Sequence, residues 1–204
     1  MDTNSYIIPA KTTHYRQEIK RSKFLTWITS VDSPKTAKQW IQSIRDEYPD
    51  ARHVCWAYIA GAPNTSLKSM SDDGEPSGTA GKPMLNVIEH SGVGDIAVVV
   101  VRYFGGVKLG TGGLIRAYSS SVSEAMKRTE FITKVAMQAL VLSFPYAEEA
   151  QVRYLLADVQ GEVLNVEYNE LVTLFCHVSI QKIDSFEQRL GLNVDITKMN
   201  NESK

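Results

Sequence analysis

The chain has little cysteine, no long apolar run and almost no net charge. Its 204 residues include two cysteines, Cys55 and Cys176, which are too few for a disulfide framework and too far apart for a zinc motif. The longest strongly apolar stretch, residues 96–101, is far shorter than the roughly 20 residues of a membrane-spanning helix. The formal net charge of −1 excludes attraction of nucleic acid by the whole molecule, so such binding would require a local basic patch.

The rest of the composition is that of a globular protein. Hydrophobic residues make up 43% of the chain and charged residues 22%, which is ordinary for a folded domain. Residues 1–5 lack a basic start followed by an apolar segment, so no secretory signal is expected. With so few cysteines, this predicts a cytoplasmic protein with no membrane partner. No cofactor is expected either.

Two glycine-rich polar loops lie on either side of one very apolar strand. The first loop, residues 71–83, reads SDDGEPSGTAGKP; the strand, residues 96–104, reads IAVVVVRYF; the second loop, residues 105–113, reads GGVKLGTGG. Glycine permits positive φ and a close approach of backbone to a ligand. Loops with exposed N–H groups, hydroxyls and nearby cations can bind anions, phosphate in particular. We expect both loops to converge on one groove.

The cations beside these loops are Arg102, Lys108 and Arg116. The loops match neither the Walker pattern nor G-x-G-x-x-G, so the generic nucleotide motifs are absent. A second interpretation stays open, in which the glycines only make tight turns and close helix–sheet packing. Arg102 also has two readings, because it ends a buried strand and could pair with a carboxylate such as Asp73 instead of contacting phosphate.

Three further clusters also have two readings. The acidic cluster Asp72, Asp73 and Glu75 could hold a hard cation, but aspartate before glycine is common turn chemistry. The run RHVC at residues 52–55 invites a Cys/His nucleophile, but a lone cysteine is usually a small buried hydrophobe, and covalent catalysis through Cys55 is not expected. The basic hairpin at residues 18–24 could touch phosphate or an acidic partner, or could be a solvated turn.

The hydrophobic periodicity predicts two α+β domains with a boundary near Phe131. In the first, residues 1–131, a β-hairpin over 15–31 precedes a helix that Ser33 caps and Pro49 ends. A strand, a short helix over 83–91, the apolar strand and another helix follow. In the second, residues 132–204, the order is βαββα with a possible final strand at 192–196, which is typical of a ferredoxin-like sandwich. The tail from Lys198 is expected to fray.

The two glycine loops and the strand between them resemble the YigZ/IMPACT family. The resemblance rests on residues 71–81 and on residues 100–118, which read VVRYFGGVKLGTGGLIRAY. Residues 18–24 and the run HVCWAY at 53–58 look like two earlier motifs of that family. The match covers roughly residues 10 to 130 in the right order. Residues 132–204 look like the small C-terminal domain of bacterial members.

The resemblance implies a fold and a functional class. The N-terminal half would share the fold of ribosomal-protein and elongation-factor-G domain IV modules, a β-sheet backed by helices. The C-terminal half would be ferredoxin-like, similar to domain V of elongation factor G. Eukaryotic relatives regulate translation by competing for a co-activator of a stress kinase. A translation-linked protein that contacts the ribosome, RNA, a translation factor or a regulatory protein is therefore expected.

The leading hypothesis is a non-catalytic protein that binds ribosomal or other RNA phosphate through the paired loops. Backbone N–H groups, hydroxyls and cations of the loops would contact phosphate, and Tyr103 would stack on a base or sugar. No catalytic residue and no metal ligand is assigned. The alternatives are a phosphotransferase-like enzyme for a small phosphorylated compound, with Asp73 or Glu75 as base or metal ligand, and a purely protein-binding module. The candidate site residues are Asp73, Gly74, Ser77, Gly78, Thr79, Arg102, Tyr103, Lys108, Gly110, Gly112, Gly113 and Arg116.

Overall fold

The computed structural model describes residues 5–199, which fall into two compact units, one of them Tyr6–Lys134 and the other formed by the described residues from Val135 onward together with Ser5. The first part of the chain forms, in order, β1 (Ser5–Pro9), β2 (Thr13–Ile19), β3 (Ser22–Ser30), α1 (Pro34–Glu47), β4 (His53–Ile59), β5 (Lys68–Ser71), α2 (Gly81–Ser91), β6 (Ile96–Tyr103), α3 (Thr111–Met126) and β7 (Phe131–Val135).

The first unit is built on a five-stranded antiparallel sheet in the order β2-β3-β6-β4-β5. The central strand β6 alternates between two cores. Val98 and Val100 pack with residues of α2 and α3, whereas Val99 and Val101 pack with residues of α1. Helices therefore cover both faces, which explains why this strand is an unbroken apolar run instead of an alternating one.

Local signals place most of these elements. Ser33 caps α1 in a capping box with Thr36, and Pro34 occupies the start of the helix, as its fixed φ allows. Helix α2 begins at Gly81, two residues before the expected start, because Pro83 is tolerated in a first turn. Strand β5 was not expected, since its sequence KSMS has no apolar alternation and it is held by backbone pairing with β4.

The second part of the chain forms β8 (Met137–Phe144), α4 (Glu149–Asp158), β9 (Glu162–Tyr168), β10 (Val172–Ser179), α5 (Ile183–Arg189) and β11 (Asp195–Lys198). The order βαββαβ, with antiparallel strands arranged β11-β8-β10-β9, is that of a ferredoxin-like sandwich. The expected α+β fold class is thus confirmed. The final strand begins at Asp195, later than expected, and the expected strand over 134–144 is divided, because β7 ends at Val135.

No helix within residues 5–199 combines the length and hydropathy needed to cross a bilayer. The expectation about a secretory signal concerns mainly residues 1–4, which lie outside the described residues. Most of the tail that was expected to fray, residues 200–204, also lies outside them. The candidate site residues all lie in the first unit, and their surroundings are described next.

Candidate nucleic-acid interface

The two glycine loops line one pocket of about 350 Å³, here called the interloop pocket. The first loop contributes Pro76, the second contributes Lys108, Gly110 and Thr111, and Arg52, His53 and Phe104 complete much of the rim. Residues of both loops therefore border one pocket, while Gly78 lines a different one; that the two loops form one binding groove stays a prediction. The volume lies in the range of small-molecule sites.

Two glycines set the path of the second loop. A Cβ on Gly105 would lie 2.0 Å from the carbonyl carbon of Arg21, so the loop can touch the β2–β3 turn only because residue 105 has no side chain. Gly110 has φ of +72°, which L side chains rarely adopt, and it forms the N-cap of α3. The basic hairpin is consequently brought against the second loop.

The N-terminus of α3 is open. The first intrahelical bond runs from the N–H of Leu114 to the carbonyl of Gly110, at 2.9 Å, and no side chain of the described residues caps this helix. The N–H groups of Thr111, Gly112 and Gly113 precede that bond, and they point outward from the positive end of a 16-residue helix. This end can receive an anion.

The N-terminus of α2, in contrast, is filled from within. The carboxylate of Asp72 accepts hydrogen bonds from the N–H groups of Gly78, Ala80 and Gly81, at 2.8, 2.9 and 2.8 Å. The backbone donor at Gly78 is thus engaged, contrary to its expected role toward phosphate. The hydroxyl of Thr79 is also engaged, because it is buried and donates to the carbonyl of Pro76 at 2.6 Å.

Arg102 lies in a buried ion pair. Its Nη1 is 2.6 Å from Oε1 of Glu75, and their side chains are 7% and 3% exposed. The same Oε1 accepts a hydrogen bond from the hydroxyl of Tyr118 at 2.8 Å. Arg102 was expected either to contact phosphate or to pair with a carboxylate such as Asp73. It pairs with a carboxylate, and this carboxylate is Glu75, not Asp73.

Asp73 is bound to a different part of the sheet. Its carboxylate lies 2.9 and 3.2 Å from the guanidinium of Arg45 and accepts a hydrogen bond from the N–H of Val54 at 2.7 Å. Its main-chain carbonyl lies 3.0 Å from Nδ1 of His53. Asp73 therefore stabilises the start of β4. Each of the two carboxylates that the enzyme alternative could use, Asp73 or Glu75, has partners within the protein.

At the end of β6, Phe104 and not Tyr103 is the exposed aromatic residue. The hydroxyl of Tyr103 donates to Asp50 at 2.8 Å, and burial together with this carboxylate raises the pKa of Tyr103 to about 12. The side chain of Phe104 is 55% exposed. It was missed because nothing in the sequence distinguishes which residue at the end of β6 faces solvent.

Phe104 borders three pockets, and cations line each of them. We call the resulting region the Phe104 surface, and it consists of Arg16, Arg21, Lys23, Arg52, His53, Phe104 and Lys108. Arg52 and His53 were noticed only beside Cys55 in the sequence, and Arg16 was missed. Strand register brings Arg16 and Lys23 beside Phe104, because Arg16 pairs with Leu25 and Lys23 pairs with Tyr103.

The remaining candidate residues are exposed or partly exposed. Arg116 is exposed and lines a smaller pocket with Lys20, Leu109 and Gly113. Ser77 and Gly74 are exposed, and Gly74 has φ of +82° beside the ring of His53. Apart from its own helix backbone and chain neighbours, the nearest atom of the described residues to a Cβ on Gly112 would be Nη1 of Arg116, at 3.7 Å.

Cys55 is unsuited to nucleophilic chemistry. Its side chain is fully buried, and its thiol donates to the carbonyl of Asp72 at 2.9 Å. Burial raises the pKa of Cys55 well above its usual range, which suppresses the reactive thiolate. Within residues 5–199, no group of three or more His, Cys, Asp or Glu side chains is placed to hold a metal ion.

Comparison with family models and known proteins gives consistent matches. The model of the Impact N-terminal domain matches residues 20–126, and the model of a domain of unknown function (DUF1949) matches residues 142–191. The chain is 41% identical over 188 residues to the IMPACT family member YigZ of Escherichia coli (strain K12), covering 92% of each protein.

Two further relatives extend this comparison. The IMPACT family member YvyE of Bacillus subtilis (strain 168) is 34% identical over 185 residues, which cover 91% of this chain and 85% of that protein. A crystal structure described as that of a hypothetical protein is 37% identical, with a TM-score of 0.77, and the match covers 98% of this chain and 100% of the other.

Proposed function

The chain belongs to the IMPACT family, and we propose that it is a non-catalytic, translation-associated protein that binds ribosomal or other RNA through the Phe104 surface and the second glycine loop. The observation that carries this proposal is the Phe104 surface itself. It combines five Arg or Lys side chains and a histidine with one exposed aromatic ring.

The charge balance of this surface favours phosphate as the ligand. Two acidic residues line these pockets: Glu75 is neutralised by its ion pair with Arg102, whereas Asp50, which accepts a hydrogen bond from the hydroxyl of Tyr103, keeps its negative charge. The basic side chains therefore leave a local excess of positive charge on a chain whose net charge is −1. A localised basic patch of this kind is what RNA binding requires of such a protein.

The second glycine loop adds backbone donors to this surface. Lys108 is exposed beside the open start of α3, and a helix N-terminus with uncapped N–H groups binds phosphate oxygens. The first loop forms part of the pocket wall but offers few free hydrogen-bond donors, because the carboxylate of Asp72 already accepts from the N–H groups of Gly78, Ala80 and Gly81. This division revises the expectation that both loops contact phosphate alike.

Titration of a labelled single-stranded RNA, followed by fluorescence anisotropy at several salt concentrations, tests the proposal. Co-sedimentation with purified ribosomes over the same salt range extends the test to the assembled particle. We expect affinity to fall linearly with the logarithm of salt concentration, and to fall further in a Lys108→Gln, Arg52→Gln double variant. A Lys38→Gln, Lys35→Gln double variant on the exposed side of α1 is the matched control. Absence of RNA and ribosome binding in the native protein at low salt would overturn the proposal.

A further inference from the structure

We propose that the interloop pocket binds a single unpaired nucleotide, with its phosphate between Lys108 and the start of α3 and its base against Phe104. This inference rests on the proposed RNA-binding function and specifies what one part of the Phe104 surface recognises. The shared chemistry is that of a nucleoside monophosphate, whether it is a residue of single-stranded RNA or a free nucleotide.

The phosphate end of the pocket is defined by two independent features. Lys108, Gly110 and Thr111 line it, so a cation and an open helix N-terminus face the same space. Arg102 lines it as well, and the Nε of this buried guanidinium has no hydrogen-bond partner among the described residues. A buried donor without an acceptor is costly. The Nη1 side of the same guanidinium is paired with Glu75, which also lines the pocket, so Lys108 supplies the positive charge at this end that the ion pair does not balance.

The base end is apolar and aromatic. Pro76, Leu109 and Leu114 line the pocket together with Phe104. Phe104 is 55% exposed, and its ring centroid lies 5.7 Å from Cζ of Arg102. Inorganic phosphate would leave this apolar wall in contact with water, whereas a nucleotide base would cover it. Bases stack readily on such rings when they are unpaired, because a duplex leaves their faces buried.

His53 provides one polar contact between the two ends. Its Nδ1 lies 3.0 Å from the carbonyl of Asp73, and a carbonyl can only accept, so Nδ1 carries the proton. In the tautomer that carries its proton on Nδ1, the Nε2 atom is an acceptor. A ribose hydroxyl or a base amino group can donate to it, which again fits a nucleotide and not a bare phosphate.

The test compares four probes on the native full chain: a labelled single-stranded RNA, adenosine 5′-monophosphate, adenosine and inorganic phosphate. We expect adenosine 5′-monophosphate to bind more tightly than phosphate or adenosine, and to displace the RNA. Phe104→Ala should weaken RNA binding by between about 5-fold and 150-fold, the range of one lost base stack, with the salt slope unchanged. Phe104→Tyr should restore most of the affinity, and Tyr154→Ala, which removes an exposed ring of α4, serves as the control.

The outcomes separate this inference from the function on which it rests. If RNA binds to the native chain and Phe104→Ala binds it equally well, the nucleotide pocket is wrong and the phosphate-binding function stands. If adenosine 5′-monophosphate binds no better than inorganic phosphate, the pocket is likewise wrong. If the nucleotide binds and RNA does not, the pocket is supported as a site for a free nucleotide and the RNA-binding function is overturned.

Discussion

Arg102 and Glu75 form an ion pair across 27 residues of sequence, with Nη1 and Oε1 2.6 Å apart. The pair joins the end of β6 to the first glycine loop, and the hydroxyl of Tyr118 on α3 donates to the same carboxylate oxygen. Three elements that border the candidate site are thus held through one carboxylate. The most conspicuous arginine of the region therefore supports the fold of the site.

We expect Arg102→Gln and Glu75→Gln each to lower the free energy of unfolding by about 3–5 kcal/mol, because each leaves an uncompensated buried charge. Urea denaturation of both variants checks this. The double variant Arg102→Met, Glu75→Gln should recover much of the loss, since neither charge remains. Single variants as stable as the native chain, but with reduced RNA affinity, would assign Arg102 to phosphate binding instead.

Lys108 and Arg116 are the candidate cations on and beside the second loop that remain exposed. We expect Lys108→Gln and Arg116→Gln each to reduce the slope of log affinity against log salt by about 0.7, the value for one phosphate contact on a single strand. The thermal midpoint should stay the same. Anisotropy titrations at four or more salt concentrations measure the slope, with Lys38→Gln as the control. An unchanged slope in both variants, with the fold intact, would remove phosphate binding by these residues.

Gly112 separates a ligand-binding role from an architectural one. Among the described residues outside its own helix backbone, a Cβ there would meet Nη1 of Arg116 at 3.7 Å, and residue 112 lies in the first turn of α3. Gly112→Ala should therefore keep or raise the stability, by about 0.5–1 kcal/mol at most. It should nevertheless weaken RNA binding about tenfold, if phosphate approaches this backbone closely enough to lose a charge-assisted hydrogen bond.

Gly110→Ala is the comparison for that experiment. Its φ of +72° predicts backbone strain, so stability and affinity should fall together. Equal RNA affinity of Gly112→Ala and the native chain would show that the ligand does not need the bare backbone at residue 112.

Both cysteines should react slowly with thiol reagents under native conditions. Cys55 and Cys176 are fully buried, and burial raises the pKa of Cys176 to about 11 and that of Cys55 further still. The thiolate is then scarce at neutral pH, and labelling should require unfolding. Reaction with a chromogenic disulfide, with and without urea, checks this; rapid native labelling of Cys55 would reopen the thiol chemistry.

A chain that ends at Lys134 should keep most of the RNA affinity. The candidate residues and the Phe104 surface all lie within Tyr6–Lys134, which has its own core clusters. We expect a loss of less than about threefold, well under the tenfold step that corresponds to 1.4 kcal/mol. Circular dichroism should first establish that the shortened chain is folded. If residues 135–204 alone bound RNA with full affinity, the site would lie in the second unit and this prediction would be wrong.

Local patterns in the sequence determined the family, the α+β class and most elements. The Ser33 cap with Pro34 places α1, and the apolar run from Ile96 predicts a buried central strand. A helix after the second glycine loop was also expected, although α3 begins within that loop, at Thr111. Such signals depend on neighbours a few residues apart, and one chain displays them in full. Lys108 and Gly110, which the sequence singled out, line the interloop pocket.

The tertiary structure alone decided which polar groups remain available to a ligand. Asp72 closes the start of α2, Glu75 holds Arg102, and the strand register brings Arg16 and Lys23 beside Phe104. Every one of these pairings, apart from that of Asp72, joins residues from different strands or loops. Their geometry follows from how the sheet is packed, and a residue type and its position in the sequence do not reveal whether its charge is already matched.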